Sequence, residues 1–418
     1  MTVTRSDRLA AGLHAAVDAQ RYAEVLDRTP PAPATPLSVI HQTPNVDGAV
    51  IELDGSGRPV SAADVLLSPR YPHGVRVPLD ANLATSAVRW RWWDDAEWDA
   101  NHGQGTRDVL PGREAAPLDF MSPFPASVLK VLVGFGVLRL VDRGVVALDD
   151  AYAYEPVTAR PACGAASTKT IRQFFDEMIT VSRNESACAL IKLIHDHQAM
   201  AELNHTFAKL GLATLKLAGT DPDNGGVWSA VNMSAIDTAR LLLIVNGGAG
   251  TLWSAPDGTP VTRAVLSPAS RAFFRQTLGE QGCNEMLSTT NWCGRRYPAA
   301  GIPQVIARRW IDARTGRMTV AGAQFDGDVR RCNAAAEVTF AHKTGWVNTA
   351  GSDAGIVHSL PGRPQRDYIV VVFTNLGTDY VDTDRPADRP GIPPVRYTAK
   401  HASLGGAIDR LMVALRAS

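Results

Sequence analysis

Ser127 and Lys130 have the residue types and the spacing that a serine nucleophile and its base require. They lie three positions apart at the start of an apolar run from Val128 to Leu140, and residues at i and i+3 of a helix share one face. A lysine among apolar side chains can lose its proton, whereas an arginine stays charged. The pair therefore predicts that Lys130 accepts the hydroxyl proton of Ser127. The structural alternative is that Ser127 only caps a core helix and that the Lys130 side chain extends to the helix end.

Two later motifs favour the chemical interpretation. Ser182-Arg183-Asn184 falls between two helical patterns, at 171–181 and 186–194, and so predicts a short connection between helices. Lys343-Thr344-Gly345 ends an alternating, strand-like stretch at 338–342. The chain thus carries Ser-x-x-Lys, Ser-x-Asn and Lys-Thr-Gly in that order, and the combination is far more specific than any one of them.

Together these motifs resemble those of the serine β-lactamase and penicillin-binding-protein superfamily, and in particular its class A branch. The resemblance extends over residues 120–418 and includes the helical pattern of Met233–Leu242 and the strand patterns at 354–359 and 368–374. It implies an α/β (α+β) fold, in which an antiparallel sheet is flanked by the terminal helices and faces an all-helical lobe. The active site is expected between the sheet and that lobe.

The resemblance also implies roles for the motif residues in acyl transfer. Ser127 would attack an acyl carbon once Lys130, kept neutral by its apolar surroundings and by the cation Lys343, has taken the proton. Ser182 would relay that proton toward the leaving group. Asn184 would bind an amide of the substrate or orient Lys130.

The strand motif is expected to bind the substrate. Lys343 and Thr344 would bind a carboxylate, and Gly345 completes the motif. The backbone N–H groups of Ser127 and Trp346 would stabilise the negative charge that develops on the carbonyl oxygen. The expected partner is thus a small molecule or peptide that carries a carboxylate, and neither a metal nor an organic cofactor is implied.

The loop that should release the acyl group departs from the class A pattern. Class A enzymes carry a glutamate there, but the corresponding span, Leu215–Trp228, contains none. Asp221 or Asp223 could activate the water instead, although their Asp-Pro-Asp-Asn-Gly sequence is also typical of a turn. We therefore expect a serine hydrolase that acts on an amide or ester and is a weak β-lactamase. The alternatives are a functional class A β-lactamase or D,D-peptidase, and a non-catalytic binding protein on the same fold.

The chain divides into four expected segments. Residues 1–120 would supply the N-terminal helix, a proline-rich linker at 27–37, the first strands and a tryptophan-rich extension. Residues 121–280 would form the helical lobe, and 281–337 an insertion that borders the active site or elaborates the surface. Residues 338–418 would supply the last strands and a C-terminal helix, Ser403–Ala417, that packs beside the first helix.

The extension contains the unusual sequence Val88-Arg-Trp-Arg-Trp-Trp93, followed by Trp98. Its tryptophans could form a wall of the substrate cleft or could cover an otherwise exposed sheet. Cation-π packing on the tryptophan rings would satisfy Arg89 and Arg91 without any ligand.

The composition limits the classes of binding partner but does not identify the cellular compartment. The formal net charge is zero, which favours neither nucleic acid nor an anionic membrane surface, and no apolar run is long enough to span a bilayer. The first residues lack the apolar core of a secretory signal. As given, the protein is expected in the cytoplasm, or in the periplasm or outside the cell if a signal has been removed.

The cysteines and two of the histidines are predicted to have structural rather than catalytic roles. Of the five cysteines, Cys283 and Cys293 could close a small loop, whereas Cys188 is expected as a small buried hydrophobe. His195 and His197 are expected on the surface near a helix end.

Overall fold

The structure is a computed structural model. It describes residues 4–27, 38–102, 105–293, 299–325, 327–381 and 399–417. The expected linker at 27–37 lies outside these residues except for Asp27.

The helices and strands follow one another along the whole described chain. The α-helices are α1 (Arg5–Asp18), α2 (Asp95–Asn101), α3 (Lys130–Asp142), α4 (Ile171–Thr180), α5 (Asn184–Asp196), α6 (Met200–Lys209), α7 (Ala235–Asn246), α8 (Pro268–Gly279), α9 (Arg330–Ala335) and α10 (Ala399–Ala417). The strands are β1 (Leu26–Asp27), β2 (Ser38–Val39), β3 (Val46–Leu53), β4 (Pro59–Ser68), β5 (Tyr71–Arg76), β6 (Val88–Arg91), β7 (Leu118–Met121), β8 (Ala151–Tyr154), β9 (Ser167–Thr170), β10 (Thr251–Ser254), β11 (Pro260–Thr262), β12 (Met318–Val320), β13 (Ala323–Phe325), β14 (Val338–Val347), β15 (Ala350–Ser359), β16 (Tyr368–Thr374) and β17 (Tyr380–Val381). Short 3₁₀ turns lie at Tyr22–Glu24, Ala126–Leu129, Pro161–Cys163, Arg263–Val265, Thr290–Trp292 and Arg308–Trp310.

Within the described ranges, the central sheet has six strands in the order β14-β15-β16-β3-β4-β5. All its neighbours pair antiparallel. The sheet is covered on both faces, and every residue of β16 is buried, which explains the unbroken apolar sequence of that strand. The predicted mixed fold with an antiparallel sheet is confirmed.

One face of the sheet is covered by the two terminal helices. Leu9, Leu13 and Val17 of α1 share a buried cluster with Leu404 and Ile408 of α10 and with apolar residues of the sheet. The predicted packing of the first helix beside the last is therefore also confirmed.

The opposite face of the sheet packs against the helical lobe. Helix α3 runs through this core, and every residue from Lys130 to Leu138 is buried. Gly134 and Gly136 permit the close packing, because a Cβ atom would lie 2.9 Å from the Phe274 ring at the first position and 2.9 Å from Leu203 at the second. The lobe therefore holds α3 rigidly, and with it the Ser127–Lys130 motif.

The tryptophan-rich extension is anchored by packing and by ion pairs. Trp90 lies in a buried cluster beside β4, and Trp98 belongs to the cluster of the terminal helices. Ion pairs, rather than the tryptophan rings, satisfy Arg89 and Arg91. Arg89 pairs with Asp108 at 2.7 Å, and Arg91 pairs with Asp119 at 2.8 Å, because carboxylates on neighbouring segments provide bidentate partners.

The cysteine pairing differs from the expectation as well. The disulfides are Cys163–Cys188 and Cys293–Cys332, so the expected Cys283–Cys293 loop is wrong. Cys188 is buried as expected, but as half of a disulfide. These partners lie 25 and 39 residues apart in sequence, and only the tertiary packing brings them together.

The segment 281–337 folds around a small core of its own, which we call the insertion core. Its buried members are Cys293, Ile306, Met318, Val320, Phe325 and Val329. Within it, an isolated bridge pairs Ile311 with Met318 across the turn at Thr315-Gly316, and a longer antiparallel pairing joins β12 to β13.

No described helix is long and apolar enough to cross a membrane. Among the described residues, no group of three or more histidine, cysteine or acidic side chains is arranged to hold a metal ion.

Candidate active site

Ser127 lies in the 3₁₀ turn that leads into α3. The preceding residue, Ala126, has a φ of 48°, a left-handed conformation that is uncommon for a residue with a side chain. The Ser127 side chain is half-buried. Its hydroxyl thus lies at the edge of the core rather than within it.

Strand β14 passes directly beside this turn. A Cβ atom on Gly345 would lie 2.6 Å from the backbone nitrogen of Ser127 and 2.9 Å from the carbonyl oxygen of Pro125. Only a glycine allows the two backbones to approach so closely. The close approach brings the Lys343–Gly345 motif next to Ser127.

Lys130 is fully buried, and its amine contacts Ser127 and both polar residues of the Ser-x-Asn motif. Nζ lies 3.0 Å from Ser127 Oγ, 3.1 Å from Ser182 Oγ, 2.5 Å from the Ser182 carbonyl oxygen and 2.7 Å from Asn184 Oδ1. The last two oxygens can only accept hydrogen bonds. A neutral amine would satisfy both of them with its two hydrogens, and its lone pair would then be left for a hydroxyl proton.

The surroundings of Lys130 favour that neutral form. Burial holds its pKa well below the ordinary lysine value, and the nearby positive charge of Lys343 lowers the pKa further. The charges of Cys283 and Glu185 act in the opposite direction but are smaller effects. Desolvation penalises the charged amine, so Lys130 is suited to accept a proton near neutral pH.

Ser182 connects α4 to α5 and has a φ of 59°. Its neighbours are fixed by Glu177, whose carbonyl oxygen accepts from Arg183 N at 3.1 Å. The Glu177 carboxylate also accepts from Ser186 Oγ at 2.5 Å and from Lys169 Nζ at 2.6 Å. This network holds the short connection in its left-handed conformation.

Lys343 reaches the same hydroxyl from the sheet. Its Nζ donates to Ser182 Oγ at 3.0 Å and to the Thr344 carbonyl oxygen at 2.6 Å, so one hydrogen of a charged ammonium remains unused by these contacts. Burial lowers its pKa to about 8. The preceding residue, His342, bonds instead to Asp353 and Asn284, as expected if neighbouring strand residues point to opposite faces.

The next two side chains of β14 lie at the end of the strand. Thr344 is fully buried, and its Oγ1 has no hydrogen-bond partner among the described residues. Trp346 is half-buried. A buried hydroxyl without a partner is costly, and a ligand that bonds to it would remove that cost.

Asp221 and Asp223 are found in a tight turn. The Asp221 carboxylate accepts from Asp223 N at 2.9 Å and from Asn224 Nδ2 at 3.0 Å. Asp223 accepts from Thr158 Oγ1 at 3.3 Å. No hydrogen bond between the described residues joins either carboxylate to Ser127 or Lys130.

The loop around that turn is held by the first disulfide. A Cβ atom on Gly226 would lie 2.7 Å from Cys163 Sγ, and one on Gly225 would lie 2.0 Å from the Cys188 carbonyl oxygen. Two following residues, Val227 and Trp228, also have positive φ angles. The loop is therefore packed tightly against α5, the helix that carries Asn184.

Several residues of the site are absent from the sequence predictions. Cys283 and Glu185 both act on the Lys130 pKa, and Glu177 fixes the Ser182 connection. Glu185 directly follows Asn184, which is a sequence signal for its proximity, whereas nothing local points to Cys283. His197 is exposed as expected, but His195 is half-buried and bonds to Thr220 Oγ1 at 2.7 Å.

Comparison with known proteins gives one family match and several weak structural similarities. Residues 120–291 match the family described as the Beta-lactamase enzyme family, and this span includes Ser127, Lys130, Ser182 and Asn184. No curated protein matches the sequence.

Three similar solved structures have low sequence identity to this chain. PBP-A is 19% identical with a TM-score of 0.41, over 70% of this chain and 80% of its own. A β-lactamase from Chitinophaga pinensis DSM 2588 is 19% identical with a TM-score of 0.40, over 70% of this chain and 84% of its own. The TLA-1 extended-spectrum β-lactamase is 12% identical with a TM-score of 0.48, over 99% of this chain and 100% of its own.

Proposed function

We propose that this chain, of which residues 120–291 match the Beta-lactamase enzyme family, is a serine hydrolase of the serine β-lactamase and penicillin-binding-protein superfamily and acts on an amide or ester through an acyl-enzyme on Ser127. The observation that carries the proposal is the set of contacts at Lys130 Nζ. Two acceptor-only oxygens use the hydrogens of a neutral amine, and Ser127 Oγ lies 3.0 Å from the same nitrogen. A serine beside a neutral amine is an activated nucleophile.

In the proposed acylation step, Lys130 takes the Ser127 proton as Oγ bonds to the acyl carbon. The proton then passes through Ser182 Oγ, which lies 3.1 Å from Lys130 Nζ, to the leaving nitrogen or oxygen. The negative charge on the carbonyl oxygen would be stabilised by the backbone N–H groups of Ser127 and Trp346. Strand β14 passes so close to the nucleophile turn that a Cβ atom added to Gly345 would lie 2.6 Å from Ser127 N. This close approach supports the proposed pairing of the two N–H groups.

The substrate is proposed to carry a carboxylate. Lys343 has a hydrogen that its contacts within the protein do not use, and Thr344 Oγ1 is buried without a partner among the described residues. A carboxylate would accept from both groups in charge-assisted bonds. Asn184 would hold the acyl-side amide or orient Lys130.

Deacylation is proposed to be slow, so that the protein is a weak β-lactamase. The loop at 215–228 contains no glutamate, and its carboxylates Asp221 and Asp223 accept bonds from residues of the same turn and from Thr158. The same observation favours a second candidate, a penicillin-recognising D,D-peptidase whose natural acyl-enzyme transfers to another acceptor.

The test is the intact mass of the protein after incubation with benzylpenicillin and, separately, with a fluorophosphonate. We expect each reagent to add its mass once to the wild type and not to Ser127→Ala. Ser254→Ala, which removes an exposed serine, is the matched control and should be labelled like the wild type. Labelling by the fluorophosphonate alone would indicate an esterase or amidase with another substrate. No labelling by either reagent would leave the non-catalytic binding protein as the better interpretation.

A further inference from the structure

Val181, the residue before Ser182, packs against the insertion core. It is the residue that follows the last turn of α4, and its side chain contacts the buried cluster of the inserted segment 281–337. The position next to Ser182 is therefore fixed by a part of the chain about 110 to 150 residues further along.

The first residues of the insertion also bind the end of α4. Gly282 N donates to the Thr180 carbonyl oxygen at 2.8 Å, and Gln281 Nε2 donates to the Ile179 carbonyl oxygen at 3.0 Å. The last carbonyl groups of a helix have no partners within it, so these bonds replace the missing cap. They hold the backbone immediately before Val181.

A third link joins the insertion to the preceding turn of α4. Arg309 forms a bidentate pair with Asp176 at 2.7 and 2.8 Å and donates to Glu280 at 2.5 Å. Trp310 Nε1 donates to the Glu280 carbonyl oxygen at 2.8 Å. The insertion thus contacts α4 through a side-chain pair, two backbone carbonyls and an apolar side chain.

Ser182 needs support from both sides because of its backbone conformation. A non-glycine residue at a φ of 59° keeps that conformation only where its surroundings enforce it. On the far side, Lys130 Nζ binds the Ser182 carbonyl oxygen and Asn184 Oδ1. On the near side, Val181 and the insertion support the turn together with the hydrogen bonds of Glu177.

We propose that the insertion positions Ser182 for proton transfer, and that Val181 is the positioning residue through which it acts. The inference rests on the proposed function, because the consequence concerns the Ser182 hydroxyl between Lys130 and Lys343. Truncation of Val181 releases the turn, and Ser182 Oγ moves away from one or both amines. Substrate binding through Lys343 and Thr344 is less affected, because β14 keeps its own pairing with β15.

The test compares Val181→Ala with Val329→Ala. Both substitutions remove the same atoms from the same core, but Val329 is fully buried and precedes α9, whereas Val181 adjoins Ser182. Benzylpenicillin acylation is followed by stopped flow, which separates the acylation rate constant from the dissociation constant. We expect Val181→Ala to lower the rate constant by about 10- to 100-fold with little change in the dissociation constant. Val329→Ala, which leaves the Val181 side chain in place, should lower the rate constant much less than Val181→Ala, and Val181→Ile should keep the wild-type rate.

A second readout does not depend on activity. Amide hydrogen exchange over residues 180–186 should be faster in Val181→Ala than in Val329→Ala, because only the first variant loosens the turn. Equal exchange in the two variants would overturn the inference, as would equal acylation rates. If benzylpenicillin acylates the wild type but not Ser127→Ala, the proposed function stands even when the inference about Val181 fails. If neither benzylpenicillin nor the fluorophosphonate labels the wild type, the proposed function fails and exchange alone decides whether Val181 positions the turn.

Discussion

Lys130 and Lys343 approach the same hydroxyl, with their Nζ atoms 3.1 and 3.0 Å from Ser182 Oγ. Two ammonium groups so close together repel each other, which favours the loss of a proton from one of them. The pKa of Lys130 is held well below its ordinary value, first by burial and then by Lys343, whereas burial lowers the pKa of Lys343 only to about 8. One lysine is thereby suited to be a base and the other to remain a cation at neutral pH.

The first prediction concerns the alkaline limb of the acylation rate. Lys343 loses its charge as the pH rises through about 8, so the second-order rate constant for benzylpenicillin should fall above that pH. Lys343→Arg keeps the charge at every pH used and should move the limb upward, although its larger head group lowers the rate. Rates are measured by stopped flow between pH 5 and 10. An unchanged limb in Lys343→Arg would assign the titration to another group.

The second prediction concerns the close approach of β14 to the nucleophile turn. Gly345→Ala places a Cβ atom 2.6 Å from Ser127 N and 3.0 Å from Val128 N, and these backbone atoms cannot yield as a flexible side chain would. We expect at least a 100-fold loss of acylation, because misplacement of the reacting groups by about 1 Å costs roughly that factor. Gly55→Ala is the control, since nothing lies within 4 Å of its added Cβ. Equal rates in the two variants would contradict the close approach.

The motifs made the fold and the candidate site predictable to different extents. The apolar run after Ser127 indicates a core helix, and the alternation before Lys343 indicates a strand, because local periodicity reports which faces are buried. The left-handed backbone of Ser182 is not encoded by serine itself and follows from contacts on both sides.

The features that the sequence did not predict depend on contacts between residues far apart in the chain. Cys163 and Cys188 pair through the fold, and no local pattern distinguishes them from Cys283. The contact of Val181 with the insertion is of the same kind. It joins two segments that are distant in the chain, and no local sequence pattern in either one indicates the contact.

The third prediction concerns release of the acyl group. Because Asp221 and Asp223 accept bonds from their own turn and from Thr158, Asp221→Asn and Asp223→Asn should each change the lifetime of the penicilloyl-enzyme by less than about threefold, the range expected when no general base is lost. The lifetime is measured by the return of the unmodified mass after excess penicillin is removed. Prolongation by 100-fold or more in one variant would identify that aspartate as the base that activates the water.

The fourth prediction tests the disulfides directly. Alkylation of the unfolded, unreduced protein should modify Cys283 and leave the four residues of Cys163–Cys188 and Cys293–Cys332 unmodified. Peptide mapping should recover both cross-linked pairs, and reduction should make all five cysteines reactive. Loss of Cys163–Cys188 in a double serine variant should lower the free energy of unfolding by about 2–4 kcal/mol. A cross-linked peptide joining Cys283 to Cys293 would contradict this arrangement.

The fifth prediction rests on Asp47 and Asp64, two fully buried carboxyl groups on neighbouring strands of the sheet. Asp47 Oδ2 accepts from the first backbone N–H of α7 at 2.8 Å, and the two carboxyl groups lie close enough for a hydrogen bond to each other when one of them is protonated. Burial raises the pKa of Asp47 to about 7. Burial, and then the charge of Asp47, raises the pKa of Asp64 as well. The pair is therefore stable only while it holds at least one proton.

A carboxyl group whose pKa is raised by folding stabilises the native state below its unfolded pKa and loses that contribution as the pH rises through the folded value. The free energy of unfolding should accordingly fall between pH 4 and 8. Asp64→Asn removes one charge and provides an amide donor for Asp47, so it should flatten this fall and be more stable than the wild type at pH 8 by about 1 kcal/mol or more. Urea unfolding at each pH measures the difference, with the exposed Glu155→Gln as the control. A wild-type slope retained in Asp64→Asn would show that Asp47 and Asp64 share no proton.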